Sequence, residues 1–161
     1  MAEVKYIVFL LGNQKYGVRL DRINGIEQIY NIVPIPVGAE YIKGIIHLRK
    51  EVIPIYDLKG HFNIYEEADV KNTQLLVSET HGIKLGIEVD NVLGIVPIKE
   101  ENVKKVPIVV KGDDTSYIEN VISTNLYSGN GEEEIMLTVA IDNIMSDADF
   151  DNVASALEDT E

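Results

Sequence analysis

The stretch YIKGIIHLRKEVIPIYDL, Tyr41 to Leu58, decides the fold. It reads as two short apolar strands, Ile45 to Leu48 and Val52 to Leu58, joined by the charged turn Arg49-Lys50-Glu51. Alternation puts Ile53 and Ile55 on one face of the second strand and Val52, Tyr56 and Leu58 on the other. Both faces are apolar, so both are expected to be covered. Pro54 has no N–H to give to a ladder, which favours an edge strand or a bulge. An apolar edge needs cover, either from the chain's own second unit or from a partner.

Outward from this stretch the chain is a series of short strands. Val4 to Leu11 and Tyr16 to Leu20 form a hairpin around Gly12-Asn13-Gln14-Lys15. Asp21 to Gly25 reads as one turn, with Asp21 as its cap. Ile26 to Ile35 is extended and is closed by Pro34 and Pro36. Lys59 to Lys71 is a polar connection. Asn72 to Glu79 and Ile83 to Asp90 form a second hairpin, followed by a strand from Leu93 to Ile98 and a polar turn from Lys99 to Lys105. Tyr117 to Leu126 and Glu134 to Asp142 are strands around Gly129-Asn130-Gly131. About ten strands at this spacing indicate a barrel or sandwich. Phe150, Val153, Ala154 and Leu157 recur at helical spacing among acids, so residues 146–161 are expected to form an amphipathic helix and tail beyond a β domain at 1–145.

The chain also repeats itself. YGVRLDRINGIEQI (Tyr16 to Ile29) and LGIEVDNVLGIVPI (Leu85 to Ile98) align at an offset of 69, with Gly17/Gly86, Asp21/Asp90, Gly25/Gly94, Ile26/Ile95 and Ile29/Ile98 identical. Val18/Ile87, Leu20/Val89 and Ile23/Val92 stay apolar. Two similar small barrels follow, each too small to be robust alone, so a core shared between them is expected.

Composition narrows the function. The 161 residues carry a net charge of −13, which disfavours nucleic acid and anionic membrane surfaces as partners. There is no cysteine, so thiol chemistry and Cys-ligated metals are excluded. No stretch approaches the ~18 apolar residues of a membrane span, and an intracellular protein without direct membrane insertion is expected. There is no phosphate loop and no nucleophile elbow. His47, His61 and His81 are isolated, without a second metal ligand at close spacing. His47 is expected in an apolar strand as a structural or interface residue, and His81 solvated in a turn. Asp147, Asp149, Asp151 and Glu158 match positions 1, 3, 5 and 12 of a calcium loop, but Asn152 replaces the required glycine, so an acidic helix is the better reading. Glu132-Glu133-Glu134 and Asp113-Asp114 read as solvated loops. Asp57 and Asp142 each read as local caps at strand ends, and Tyr41 and Tyr117 as core-edge residues. No catalytic constellation emerges, no cofactor is implied, and a non-enzymatic binding module is the expectation.

GNQKYGVRLDRI, YIKGIIHLRKEVIPIYDLKGHF and KLGIEVDNVLGIV together resemble the CheW-type chemotaxis coupling proteins, over nearly the whole chain and in the family's order. The resemblance implies an all-β fold of two intertwined five-stranded SH3-like β-barrels with a short C-terminal helix. It implies a cytoplasmic adaptor, recruited to membrane receptor arrays, that couples chemoreceptors to the histidine kinase CheA. One barrel would dock the kinase's regulatory domain, and the cleft between the barrels would receive the cytoplasmic tip of the receptor. A coupling module of a related non-chemotaxis two-component pathway is the alternative. Carried over by position, Leu20, Ile23, Val92 and Ile95 are the receptor-facing set. Gly44 and Arg49 are the functionally sensitive pair, and Ile45, Ile53 and Ile55 the kinase-docking surface. Two departures stand out. The family's NLRG is His47-Leu48-Arg49-Lys50 here, which places Lys where Gly usually makes the turn. The family's Glu is Gly25 here, so Arg49 must find another acid, Glu27 or Glu51.

Overall fold

The computed structural model describes residues 2–28, 31–35, 39–105, 117–124 and 134–160. Lys111, Asp113-Asp114, the Gly129-Asn130-Gly131 turn and Glu132-Glu133 lie outside them. The described strands are β1 (Glu3–Leu11), β2 (Gln14–Arg19), β3 (Gly25–Gln28), β4 (Ile42–Leu48), β5 (Glu51–Tyr56), β6 (Gln74–Thr80), β7 (Ile83–Val89), β8 (Asn91–Lys99), β9 (Val103–Lys105), β10 (Ile118–Thr124) and β11 (Glu134–Val139). Two helices join them, α1 (Leu58–His61) and α2 (Asp147–Thr160). One sheet has the order β8-β1-β2-β11-β10-β9 and the other β3-β6-β7-β5-β4. The first therefore has six strands rather than five, because the three-residue β9 extends it next to β10.

The duplication sets the topology. Each hairpin, β1–β2 and β6–β7, sends its next strand to the other sheet. Thus β3 pairs with β6, Gly25 opposite Val77, and β8 pairs with β1, Gly94 opposite Val8. Gly25 to Gly94 and Val8 to Val77 are both steps of 69, so the strand exchange follows the repeat in register. Each hairpin also accepts one parallel neighbour: β11 on β2 (Thr138 opposite Gly17) and β5 on β7 (Ile55 opposite Gly86). At the repeat-related Gly17 and Gly86 a Cβ would press on Met136 and Ile55 respectively, so both glycines make room for a core side chain. Lys15–Glu134 and Lys84–Glu51, each at 2.8 Å, are the matching ion pairs at the two junctions.

Three apolar cores result. Tyr6, Val8, Val96, Ile98, Ile122 and Met136 fill the six-stranded unit. Ile46, Ile53, Ile55, Leu75 and Val77 fill the five-stranded one. The largest core lies between the sheets, with Ile7 and Phe9 from β1, Tyr56 from β5, Leu76 from β6 and Ile87 from β7. α2 adds Phe150, 2% exposed, to that core, and its Val153 is fully buried. Alternation divides single strands between cores: in β1, Tyr6 and Val8 face one and Ile7 and Phe9 the other.

Pro54 lies in an internal strand, not at an edge, because β5 runs between β7 and β4. Opposite Pro54 is Ile45, whose N–H and C=O are both bonded to Val33 on its far side. Ile45 and Pro54 are thus a non-hydrogen-bonded pair, and β4 asks no N–H of the proline. On the other side the pairing with β7 begins only at Ile55.

Several side chains differ from their expected roles. Asp57 caps α1, accepting from Gly60 N–H at 3.0 Å, as expected. Asp142 is instead a tertiary ligand, accepting from Arg22 at 2.6 Å and from the Thr80 hydroxyl. Asp21 lies inside the 3-10 turn Leu20–Arg22 and pairs with Arg19 at 2.9 Å rather than capping it. His81 stacks on Phe150 with ring centroids 3.8 Å apart, so it seats α2 as well as closing the β6–β7 turn. His47 is exposed on β4. The Tyr56 hydroxyl, its pKa raised chiefly by burial, stays protonated and donates to the Ile144 carbonyl at 3.0 Å. Tyr41 stacks on His61 at 4.8 Å, and Tyr117 meets the same ring at 4.5 Å.

Asp90, 5% exposed, fastens the two hairpins to each other. Its Oδ2 accepts from Gly12 N–H at 2.7 Å and lies 2.9 Å from Lys59 Nζ. Lys59→Met leaves that carboxylate buried without its cation, and a loss of about 3 kcal/mol in denaturant unfolding is expected. Adding Asp90→Asn, which removes the charge and keeps the Gly12 bond, is expected to restore much of it. A loss below about 1 kcal/mol in Lys59→Met would show that the pair is not a fastening.

Candidate functional site: the inter-barrel groove and the β4–β5 turn

The two edge strands that cross between units, β3 and β8, border the central core. Directly opposed residues of paired strands share a face. Ile95 lies opposite Ile7 and Val92 opposite Phe9, so both turn toward the inter-sheet core. Leu20, Ile23 and Val92 are partly buried against that core, and Ile95 is 52% exposed. The four residues therefore belong to one apolar layer, three of them lining it and Ile95 standing at its rim. A fifth residue was missed from sequence. Ile26 lies opposite Leu76, faces the same layer and is 39% exposed. It is the repeat partner of Ile95, so the offset of 69 already pointed to it.

Ile45, Ile53 and Ile55 are 3%, 1% and 0% exposed. Ile53 and Ile55 pack inside the five-stranded unit. The expected docking surface made of these side chains is corrected: they are buried, Ile53 and Ile55 because β5 is internal, and Ile45 on β4 beside the bridging Val33.

Gly44 is buried, and its constraint is steric. A Cβ there would overlap the Val33 carbonyl oxygen and crowd Ile32. Val33 holds residues 31–35 on the outer edge of β4 through two backbone bonds with Ile45, of 2.8 and 2.9 Å. This strap covers the β4 edge, which would otherwise offer free backbone groups.

Arg49 and Lys50 form a two-residue hairpin turn with φ of +49° and +69°. Both central residues are left-handed, the type I′ pattern whose twist suits a two-residue hairpin and whose usual residues are Asn-Gly. The turn thus keeps its geometry without glycine and carries the steric cost of two Cβ atoms. Arg49 Nη1 lies 2.8 Å from Glu27 Oε1, so β3 supplies its acid, while Glu51 pairs with Lys84. The Arg49 side chain is 76% exposed and Glu27 only 16%.

Large apolar side chains left exposed at the boundary of two barrels, on edge strands, suit contact with another protein. The chain belongs to the family of CheW-like domains, whose model matches residues 5–149. It is 28% identical over 124 residues to chemotaxis protein CheW of Treponema pallidum, covering 74% of this chain and 73% of that protein. It is 27% identical over 158 residues to chemotaxis protein CheW of Klebsiella aerogenes, covering 94% and 89%. The crystal structure of scaffolding protein TtCheW from Thermoanaerobacter tengcongensis superposes with a TM-score of 0.77 at 27% identity, covering 91% of this chain and 90% of that one. The two SH3-like barrels are thus a shared feature of this chain and a scaffolding protein. Among the described residues no helix is long and apolar enough to cross a membrane.

Two substitutions test the local geometry. Lys50→Gly relieves a left-handed residue and is expected to raise stability by about 1 kcal/mol, or roughly 2–4 °C in Tm; an unchanged or lower Tm would count against strain at this turn. Gly44→Ala is expected to lift the strap, raising hydrogen exchange at the Val33 and Ile45 amides by about tenfold or more while the β6–β7 amides stay protected. Unchanged protection would contradict the close approach.

Proposed function

We propose that the chain is a chemotaxis scaffold that couples chemoreceptors to the histidine kinase CheA by binding both. The observation that carries this reading is the apolar layer between the barrels, exposed at Ile26 and Ile95 on the two crossing edge strands. Large apolar residues left exposed between the barrels favour a protein partner, and the family and its named relatives support chemotaxis as the setting.

In this reading Leu20, Ile23, Val92 and Ile95, joined by Ile26, receive the cytoplasmic tip of the receptor. The regulatory domain of the kinase docks on the five-stranded barrel at β4 and its strap. Ile45, Ile53 and Ile55 act there from beneath, by fixing the strands, and Gly44 by admitting the strap. Arg49 holds the β4–β5 turn to β3 through Glu27. Residues 1–145 carry the binding surfaces, and 146–161 brace the central core. The protein works in the cytoplasm and reaches the membrane through its partners. Coupling then needs no reaction: simultaneous binding raises the effective concentration of kinase at the receptor, and signalling follows from contacts that differ between kinase states.

Titration of the full chain with an isolated CheA regulatory domain and with a receptor-tip fragment tests this, and both are expected to bind. Ile23→Asp places a carboxylate in the apolar layer and is expected to weaken receptor binding by about tenfold or more while sparing the kinase domain. Binding to neither partner, or equal loss of both in a folded variant, overturns the assignment.

A further inference from the structure

β3 separates two surfaces. Ile26 faces the inter-barrel layer, while Gly25 and Glu27, opposite Val77 and Leu75, face the interior of the five-stranded barrel. On that second side the barrel is open. A pocket of about 140 Å³ lies there, floored by Leu48, Ile53 and Val77 and bordered by Gly25, Glu27 and Arg49. This volume is near that of a cavity that accepts one benzene-sized apolar group. Gly25 leaves room on the β3 side of the pocket: a Cβ built there meets nothing closer than Glu27 Oε1, at 3.7 Å.

Charged side chains border the pocket, Arg49 with Glu27 and Lys84 with Glu51. Glu27 is 16% exposed, whereas Arg49, whose Nη1 lies 2.8 Å from Glu27 Oε1, is 76% exposed, so its guanidinium is open to solvent. Lys50 is exposed beside it, and Lys84, 41% exposed, stands at the rim with Glu51. The rim pairs two cations with two acids, and of the four side chains that of Arg49 is the most exposed. A guanidinium with free donors recognises a carboxylate well. The matching ligand is a protein segment that presents an apolar side chain next to an Asp or Glu.

We propose that this pocket is a second receptor subsite. A receptor hairpin lying along Ile23 and Ile26 reaches over the four-residue β3 edge, inserts one apolar side chain at Gly25 and places a neighbouring carboxylate on Arg49. The assignment of the groove to the receptor is the reading given above, on which this subsite rests. The continuity of groove and pocket across one short edge strand favours the receptor over the kinase as occupant.

Gly25→Met tests the subsite by filling the pocket from inside, at a position where there is room for a side chain. Its affinity for the receptor-tip fragment is expected to fall by about tenfold, and that of Gly25→Ala by much less, on the scale of a contact-centre residue. Affinity for the CheA regulatory domain and the Tm are expected to hold. Arg49→Gln is expected to flatten the salt dependence of receptor binding, as loss of an exposed charge contact does. Wild-type receptor affinity in Gly25→Met, or loss of kinase binding in its place, overturns the subsite. Failure of the wild-type chain to bind the receptor tip overturns the reading beneath it.

Discussion

Exchange of one strand between the two halves is the constraint on which the structure depends. Neither hairpin keeps its third strand: β3 completes the sheet built on β6, and β8 completes the sheet built on β1. A barrel of five or six short strands encloses too little apolar volume to stand securely alone. With the strands exchanged, unfolding one unit opens an edge in the other. The central core then belongs to both units, and β1, β6 and α2 contribute to it together. The Asp90 carboxylate, held by Gly12 and Lys59 at the β7–β8 crossing, fixes the point where the chain leaves one sheet for the other.

The same exchange produces the partly exposed apolar surface between the barrels. A strand that crosses to the far sheet arrives at its edge, and edges are where apolar side chains stay partly exposed. β8 is protected there by Pro97 and by the exposed Lys99, devices that discourage pairing with another chain. β4 is protected by the Val33 strap. At the boundary between the barrels the apolar side chains that β3 and β8 leave exposed are Ile26 and Ile95.

Most of this was legible in the sequence where local pattern and repeat agreed. The offset of 69 announced two similar units and a shared core, and the pairing registers of β3 and β8 obey it residue by residue. The acid for Arg49 was narrowed to two glutamates, and Glu27 is the one used. What remained hidden depended on neighbours remote in sequence. Pro54 is admitted to an internal strand because Val33 turns Ile45's backbone away from it. Ile53 and Ile55 look like surface candidates until β7 is laid beside β5. Asp142 looks like a cap until Arg22 and Thr80 arrive from other elements. Ile26 is legible through Ile95, since the repeat pairs the two.

The β4–β5 turn shows why one replaced glycine and one gained glycine belong together. Lys50 takes a position that favours glycine, so Arg49 and Lys50 both hold left-handed backbone in a turn only two residues long. Such a turn has few alternative conformations, and it fixes where the Arg49 side chain begins. Gly25 removes the side chain that would otherwise stand between that arginine and the barrel floor, leaving Glu27, two residues on and on the same face of β3, to take the ion pair. Residues two apart on a strand share a face, so Gly25 and Glu27 line the same side of β3. The ion pair thus stands at the mouth of a hollow reaching Ile53 and Val77.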